Sequence, residues 1–214
     1  MISGLKWGIL LWMSTYAFID VPNTTGTVRD CLDFTIGWPR LFKFLTNEKW
    51  ACEEVFFYKG HKGNKEKNWF LTRLQGQIGY KVRTKLTHIH PNKIVDIDIK
   101  CKECQTEFIH KHTVNGNQKS NCDVELTVDA MNILKKGDRA LILTADGDFS
   151  YLIRDLMSKG VFVSIVSSQV YTKDGKKRFS TRLSDILKEE GESSKRVEFL
   201  NIDRWRGNIE KLSK

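Results

Sequence analysis

Four aspartates, Asp20, Asp123, Asp146 and Asp148, stand where carboxylates do chemistry. Asp20 follows the apolar run Tyr16–Ile19, and Asp146 and Asp148 follow Leu141-Ile-Leu-Thr-Ala145, so both groups fall where strands end. Asp123 opens Cys122-Asp-Val-Glu-Leu-Thr-Val-Asp129, the start of a helical pattern. Carboxylates gathered closely repel one another, which raises their pKa values unless a cation compensates. Mg²⁺ or Mn²⁺ suits such a set, because hard cations take carboxylate and water oxygens. A cation held there polarises a phosphodiester and lowers the pKa of a bound water, which becomes a nucleophile at neutral pH. Each aspartate also has an ordinary reading. Asp148 can cap a helix beginning at Phe149, Asp123 can favour the positive end of its own helix, and Asp20 with Asn23 can form a turn. The metal reading requires these distant segments to meet.

A second group with ligand chemistry is Cys101-Lys-Glu-Cys104, followed by His110 and His112 on what reads as a returning strand. Four such ligands can hold a structural Zn²⁺. One CxxC is half a site, and the competing reading is a metal-free β-hairpin arm whose two histidines share one face. Cys31 and Cys52 sit in apolar surroundings and read as reduced core residues. Reduced thiols point to the cytoplasm.

The elements that must position these groups alternate along the chain. Strands are expected at Tyr16–Ile19, Glu54–Tyr58, Tyr80–Leu86, Arg139–Ala145, Val161–Val166 and Val197–Leu200. Helices are expected over Val28–Thr46 (broken at Gly37 and Pro39), Asn68–Ile78, Cys122–Leu134, Phe149–Ser158 and Leu183–Lys188, with one more at the C-terminal end. Strands separated by helices imply an α/β fold, a doubly wound and mainly parallel sheet between helical layers. Ligands bind such sheets beyond the carboxyl ends of the strands, where the aspartates fall. Residues 87–118 break the alternation and read as a β-hairpin insertion carrying the Cys/His group.

Residues 13–170 form the expected core domain, and 171–214 a basic C-terminal extension packing on it. Residues 1–12 are expected to be a dispensable N-terminal extension. The apolar stretch Ile9–Ile19 is too short to span a bilayer, so no membrane association is expected. The chain carries 35 Lys and Arg against 26 Asp and Glu, a formal charge of +9. That excess favours a polyanionic partner, through release of counterions from phosphates.

Three blocks in order carry a family resemblance: Ala17-Phe-Ile-Asp-Val-Pro-Asn23, Lys119-Ser-Asn-Cys-Asp-Val-Glu-Leu-Thr-Val-Asp-Ala-Met131, and Leu141-Ile-Leu-Thr-Ala-Asp-Gly-Asp-Phe-Ser150 with its continuation Leu156-Met-Ser-Lys-Gly-Val-Phe-Val163. Over residues 14–170 the chain resembles the NYN domains, the LabA-like branch of the PIN-like nucleases. The resemblance implies a Rossmann-like three-layer sandwich and metal-dependent cleavage of RNA by a water nucleophile. By position, Asp20, Asp123, Asp146 and Asp148 match the family's acidic metal site, and Asn23 its polar companion, expected to contact the substrate. Asp129 matches as well, but six helical positions after Asp123 it faces away from that residue's side. Val21-Pro22 stands where the family often has Gly.

Basic groups are expected to position the RNA backbone. The candidates are Lys119, beside Asp123, and Lys173, Lys176, Lys177 and Arg178 with Arg182. Tyr151 and Trp38 can stack on bases, although core packing is the stronger reading of both. The leading function is therefore a metal-dependent endoribonuclease. The competing one is a catalytically inactive RNA-binding module of the same fold. A phosphatase for small phosphoesters ranks last, since it lacks a nucleophile motif.

Overall fold

The computed structural model describes residues 14–61, 65–89, 92–114, 118–119, 121–191 and 196–212. The expected extension at residues 1–12 lies outside them. The elements run β1 (Thr15–Asp20), α1 (Val21–Leu32), α2 (Trp38–Thr46), β2 (Cys52–His61), α3 (Lys65–Arg73) with a π-helical turn over Leu74–Ile78, and β3 (Lys81–Leu86). The insertion contributes β4 (His88–Ile89), β5 (Lys93–Lys100), β6 (Glu107–Val114) and β7 (Gln118–Lys119). Then follow α4 (Asp123–Ile133), β8 (Arg139–Leu143), a 3₁₀ turn over Gly147–Phe149, α5 (Ser150–Ser158), β9 (Phe162–Ser167), α6 (Thr181–Gly191) and β10 (Val197–Asn201). A 3₁₀ turn over Ile202–Trp205 and α7 (Arg206–Ile209) complete the described chain.

The main sheet has six strands in the order β3-β2-β1-β8-β9-β10, and every pairing within it is parallel. Counting only these strands in chain order gives 3-2-1-4-5-6, the doubly wound arrangement. The order reverses between β1 and β8, and Asp20 and Asp146 leave the sheet at their adjacent carboxyl ends. The segment after residue 170, whose place the sequence leaves open, supplies the edge strand β10.

Parallel strands covered on both faces must be apolar on both faces, which explains the uninterrupted runs in β1 and β8; in β9 the buried Ser164 interrupts the run and donates to Glu198. Phe18, Ala140, Ile142 and Ile165 face a layer formed by α4, α5 and α6, whose Leu126, Leu156 and Ile186 are buried. Ala17, Ile19, Leu141 and Leu143 face the opposite layer, with Val28 of α1, Leu41 of α2 and Ile209 of α7. Each such aliphatic side chain contributes roughly 1.5–3 kcal/mol on burial. Trp38 packs edge-on against Phe57, with centroids 4.9 Å apart, as the core reading expects. Tyr151 does not: it is 84% exposed, because the buried stripe of α5 runs through Leu152, Ile153, Leu156 and Met157.

The helix after β1 begins at Val21, seven residues before the apolar periodicity suggests. Asp20 caps it, accepting the Asn23 N–H at 3.4 Å, and Pro22 occupies its first turn, where no N–H is needed. The polar run Asn23-Thr-Thr-Gly-Thr27 hides the helix from a hydrophobic pattern, yet Thr24 is buried and donates to the Leu143 carbonyl at 2.8 Å. This bond ties the start of α1 to the end of β8.

The insertion has two parts. Two-residue strands β4 and β7 pair at its base, and β5 and β6 form an eight-residue antiparallel hairpin beyond. Both long strands are exposed along their whole length.

Candidate metal centre

Carboxylate oxygens of Asp123, Asp146 and Asp148 lie within 4.8 Å of one another. They come from the start of α4 and from the turn after β8, segments joined only by the fold. Asp20, 9% exposed, borders the same cleft of about 300 Å³ with Asp123, Asp146, Asn23, Tyr58 and Lys59. The four aspartates singled out in the sequence therefore share one mouth at the sheet's switch point, with three in direct convergence and Asp20 at the floor.

Each is held by local hydrogen bonding. Asp146 accepts the Asp148 N–H at 3.0 Å and so caps the 3₁₀ turn. The capping role considered for Asp148 thus belongs to Asp146, which leaves the Asp148 side chain facing the cleft's rim. Thr144 bridges the two strand ends: its hydroxyl donates to Asp20 Oδ2 at 3.1 Å and accepts the Asp146 N–H at 3.1 Å. Asp123 N–H donates to Asn121 Oδ1 at 3.0 Å, and the Asn121 amide donates back to the Asp123 carboxylate. Asp123 and Glu125 fall in the first turn of α4, whose positive end favours them.

Burial pushes the Asp20 carboxyl up to about 6; hydrogen bonds from Asn23 and Thr144 oppose the rise, and the charges of Asp123 and Asp146 reinforce it. Asp123 is raised too, chiefly by burial, with Asp146 and Asp148 adding repulsion against the bond from Asn121. A donor set of oxygens alone, carrying mutual repulsion, fits a hard divalent cation and not a soft one. Asp123, Asp146 and Asp148 are placed to hold it, with Asp20 beside them.

Asn23 borders the cleft, but its side-chain carbonyl accepts the Ala145 N–H at 2.7 Å. It braces the acidic turn, where the sequence suggested substrate contact. Arg178 is committed elsewhere: it pairs with Asp30 of α1 at 2.8 Å, and a Cβ on Gly26 would lie 2.6 Å from its guanidinium. Lys177 reaches Ser184 at 3.5 Å, and neither basic residue borders the cleft. The Lys119 side chain lies outside the described residues. Instead Arg182, in the first turn of α6, pairs with Asp148 at 3.3 Å. The same C-terminal segment braces the turn through Ser180, whose N–H donates to the Ala145 carbonyl at 3.0 Å. Ser180 packs so tightly on Gly147 that a Cβ there would sit 2.2 Å from its hydroxyl. Thr144 and Arg182 are the residues underweighted by sequence reasoning. A threonine inside an otherwise apolar strand end was the available signal for the first.

Asp129 faces away from the cluster, as its spacing indicates. It accepts the Tyr58 hydroxyl at 3.0 Å and Arg83 Nε at 2.9 Å. That network anchors the buried Tyr58 wall of the cleft. Cys122 also borders the cleft, its thiol pushed up to about 11 mainly by burial.

The zinc arrangement does not form. His110 pairs with Ile97 and His112 with Val95 on the strand body, whereas Cys101 and Cys104 lie in the turn beyond the Lys100–Glu107 pair. Four strand residues span ~13 Å, too far for side chains that must each approach one ion to ~2.0–2.3 Å. Among the described residues, the aspartate trio is the group that converges on a point. No described helix is long and apolar enough to cross a membrane.

Comparisons with known proteins agree with this geometry. The NYN domain family model matches residues 14–187. The Low amplitude and bright protein LabA of Synechococcus elongatus is 28% identical over 140 residues, which cover 62% of this chain and 64% of that protein. The match thus spans less than two thirds of that relative's length. A crystal structure of a Vibrio parahaemolyticus protein of unknown function shares the fold, with a TM-score of 0.55 and 19% identity over 89% of this chain and 93% of that one. Together with the parallel sheet and its acidic mouth, the match over residues 14–187 places the chain in the NYN domain family, in the LabA-like branch of the PIN-like nucleases.

Proposed function

We propose that this protein is a metal-dependent endoribonuclease that hydrolyses RNA phosphodiesters at the cleft between β1 and β8. The observation that carries the reading is the convergence of Asp123, Asp146 and Asp148 within 4.8 Å at that mouth. Mg²⁺ or Mn²⁺ bound there supplies Lewis acidity toward the phosphodiester and a more acidic water. The chain's own residues do the rest. Thr144 and Asn23 fix the strand ends so that the carboxylates point into one space. Arg182, paired with Asp148 beside the mouth, offers positive charge to a phosphate backbone crossing it. The +9 charge of the whole chain draws polyanions toward an otherwise acidic pit. The free thiols of all five cysteines agree with a reducing compartment, and we place the protein in the cytoplasm.

The test is incubation of the full chain with a mixed RNA pool in Mn²⁺ or Mg²⁺, beside Asp146→Asn. Loss of a partner outside the ligand set costs roughly 10–100-fold in metal sites, so replacing a ligand lowers cleavage by at least about 100-fold. Undiminished cleavage by a folded Asp146→Asn protein sinks the assignment. RNA binding without cleavage by the unaltered protein identifies the non-catalytic module.

A further inference from the structure

The long hairpin divides its residues by chemistry. Residues opposite one another in an antiparallel pair share a face, so the register sorts β5 and β6 into two sides. One side carries Val95, Ile97 and Ile99 from β5 and Phe108, His110 and His112 from β6. All three strand carboxylates, Asp96, Asp98 and Glu107, fall on the other side, where Asp96 lies opposite Lys111 and Lys100 pairs with Glu107 at 3.3 Å. The first side is therefore free of negative charge, with Lys93 at its base. It is also uncovered: Phe108 is 51% exposed and Ile97 41%.

Three unsaturated rings occupy alternate positions of a single strand on that side. The His110 and His112 ring centroids are 6.4 Å apart, with planes tilted by 36°. A row of rings on a β-surface without carboxylates accepts unstacked bases, as sheet aromatics do in RNA-binding folds. A protein partner would find only a narrow two-stranded ribbon, whereas an extended polynucleotide needs no more width than that. The chain leaves the hairpin through β7 and reaches Asn121 and Asp123 within four residues.

We infer that this face of the hairpin is a stacking platform for the bases of single-stranded RNA, with Phe108, His110 and His112 as its rungs. The inference rests on the nuclease reading for its choice of polymer. It adds that the substrate is single-stranded where it meets the arm, because paired bases present no open face. The arm gives affinity with little preference for sequence, since every base offers a π-surface.

The test measures binding of a fluorescein-labelled single-stranded RNA 12-mer to the full chain by anisotropy in EDTA, so that cleavage does not enter. Phe108→Ala, His110→Ala and His112→Ala each weaken binding roughly 5-fold or more, and the triple variant by on the order of 100-fold. Ile109→Ser, on the charged side, leaves affinity unchanged, and duplex RNA competes poorly. Equal affinity of the triple variant and the unaltered protein overturns the proposal, as does duplex RNA competing as well as single strands. A change in monomer–dimer equilibrium on sedimentation, with RNA affinity unchanged, assigns the face to a second copy of the chain and also overturns it. Absence of cleavage in Mn²⁺ defeats the nuclease reading separately, because the binding measurement does not use catalysis.

Discussion

Replacing Asp20 by asparagine should stabilise the metal-free protein at neutral pH, although the residue is buried and hydrogen-bonded. Its carboxyl titrates near 6 in the fold against 3.8 ordinarily, so the folded state holds the proton more tightly than the unfolded chain does. A raised carboxyl pKa means that its contribution is present below pH ~4 and is lost as pH rises through ~6. The full difference, about 2 pKa units, corresponds to ~3 kcal/mol of destabilisation above pH 7. Asparagine removes that charge penalty at every pH. It also gives up one acceptor oxygen, facing either Thr144 or the Asn23 N–H, at a cost of about 1 kcal/mol. The expected net effect is stabilisation by ~2 kcal/mol at pH 8 and destabilisation by ~1 kcal/mol at pH 4. Urea melts of both proteins in EDTA between pH 4 and pH 8 read this directly, as a midpoint difference that changes sign. Mn²⁺ should then narrow or reverse the gap at pH 8, because ligand binding stabilises the folded protein that binds it best. A difference between the two proteins that stays flat from pH 4 to pH 8 would falsify the reasoning, since burial of charge would not then dominate at Asp20.

Two further perturbations separate the scaffold from the site. Asp129→Ala leaves the Tyr58 hydroxyl and Arg83 without their shared acceptor, and should cost roughly 2–3 kcal/mol in urea melts. Mn²⁺ affinity by calorimetry should be unchanged in that variant; a large loss would make Asp129 a ligand after all. Arg182→Gln removes the cation beside Asp148, an exposed pair worth at most ~1 kcal/mol, so Mn²⁺ affinity should rise no more than about fivefold. The same variant should bind RNA more weakly and lose the salt dependence of about one phosphate contact, and an unchanged salt slope would remove Arg182 from the backbone path.

The sheet was legible because buried parallel strands must be apolar on both faces, and the runs before Asp20 and Asp146 are nearly unbroken. The carboxylates were legible because strand ends at a switch point are where such a fold exposes functional groups. Other features depended on information that a linear pattern does not hold. Which member of a basic loop turns toward the cleft is set by tertiary pairing: Asp30 captures Arg178, while Arg182, four residues on, reaches Asp148. Hairpin register is likewise invisible in advance. His110 and His112 do share a face, but the turn places Cys101 and Cys104 past the end of the ladder, and the zinc idea fails on register rather than on residue type. Tyr151 was misjudged by its ring, since its position lies off the buried stripe of α5.

The devices that hold the acidic mouth argue that its charge serves something outside the fold. Asparagine at position 20 would keep one of the two bonds, to the Asn23 N–H or to Thr144, and lose the other at about 1 kcal/mol, less than the ~3 kcal/mol that the buried charge costs. Folding therefore gains nothing from ionising this group, and at neutral pH it works against stability. Local choices that oppose the stability of a fold concentrate where a ligand restores the balance. Here the mutually repelling charges of Asp20, Asp123 and Asp146 line one cleft, inside a chain whose net charge has the other sign. A divalent cation relieves the repulsion among them directly, whereas an RNA phosphate alone would increase it. On the proposed reading the order of events follows: the cation must bind before or with the substrate, and RNA affinity at the mouth should depend on Mg²⁺ or Mn²⁺ even though affinity at the arm does not.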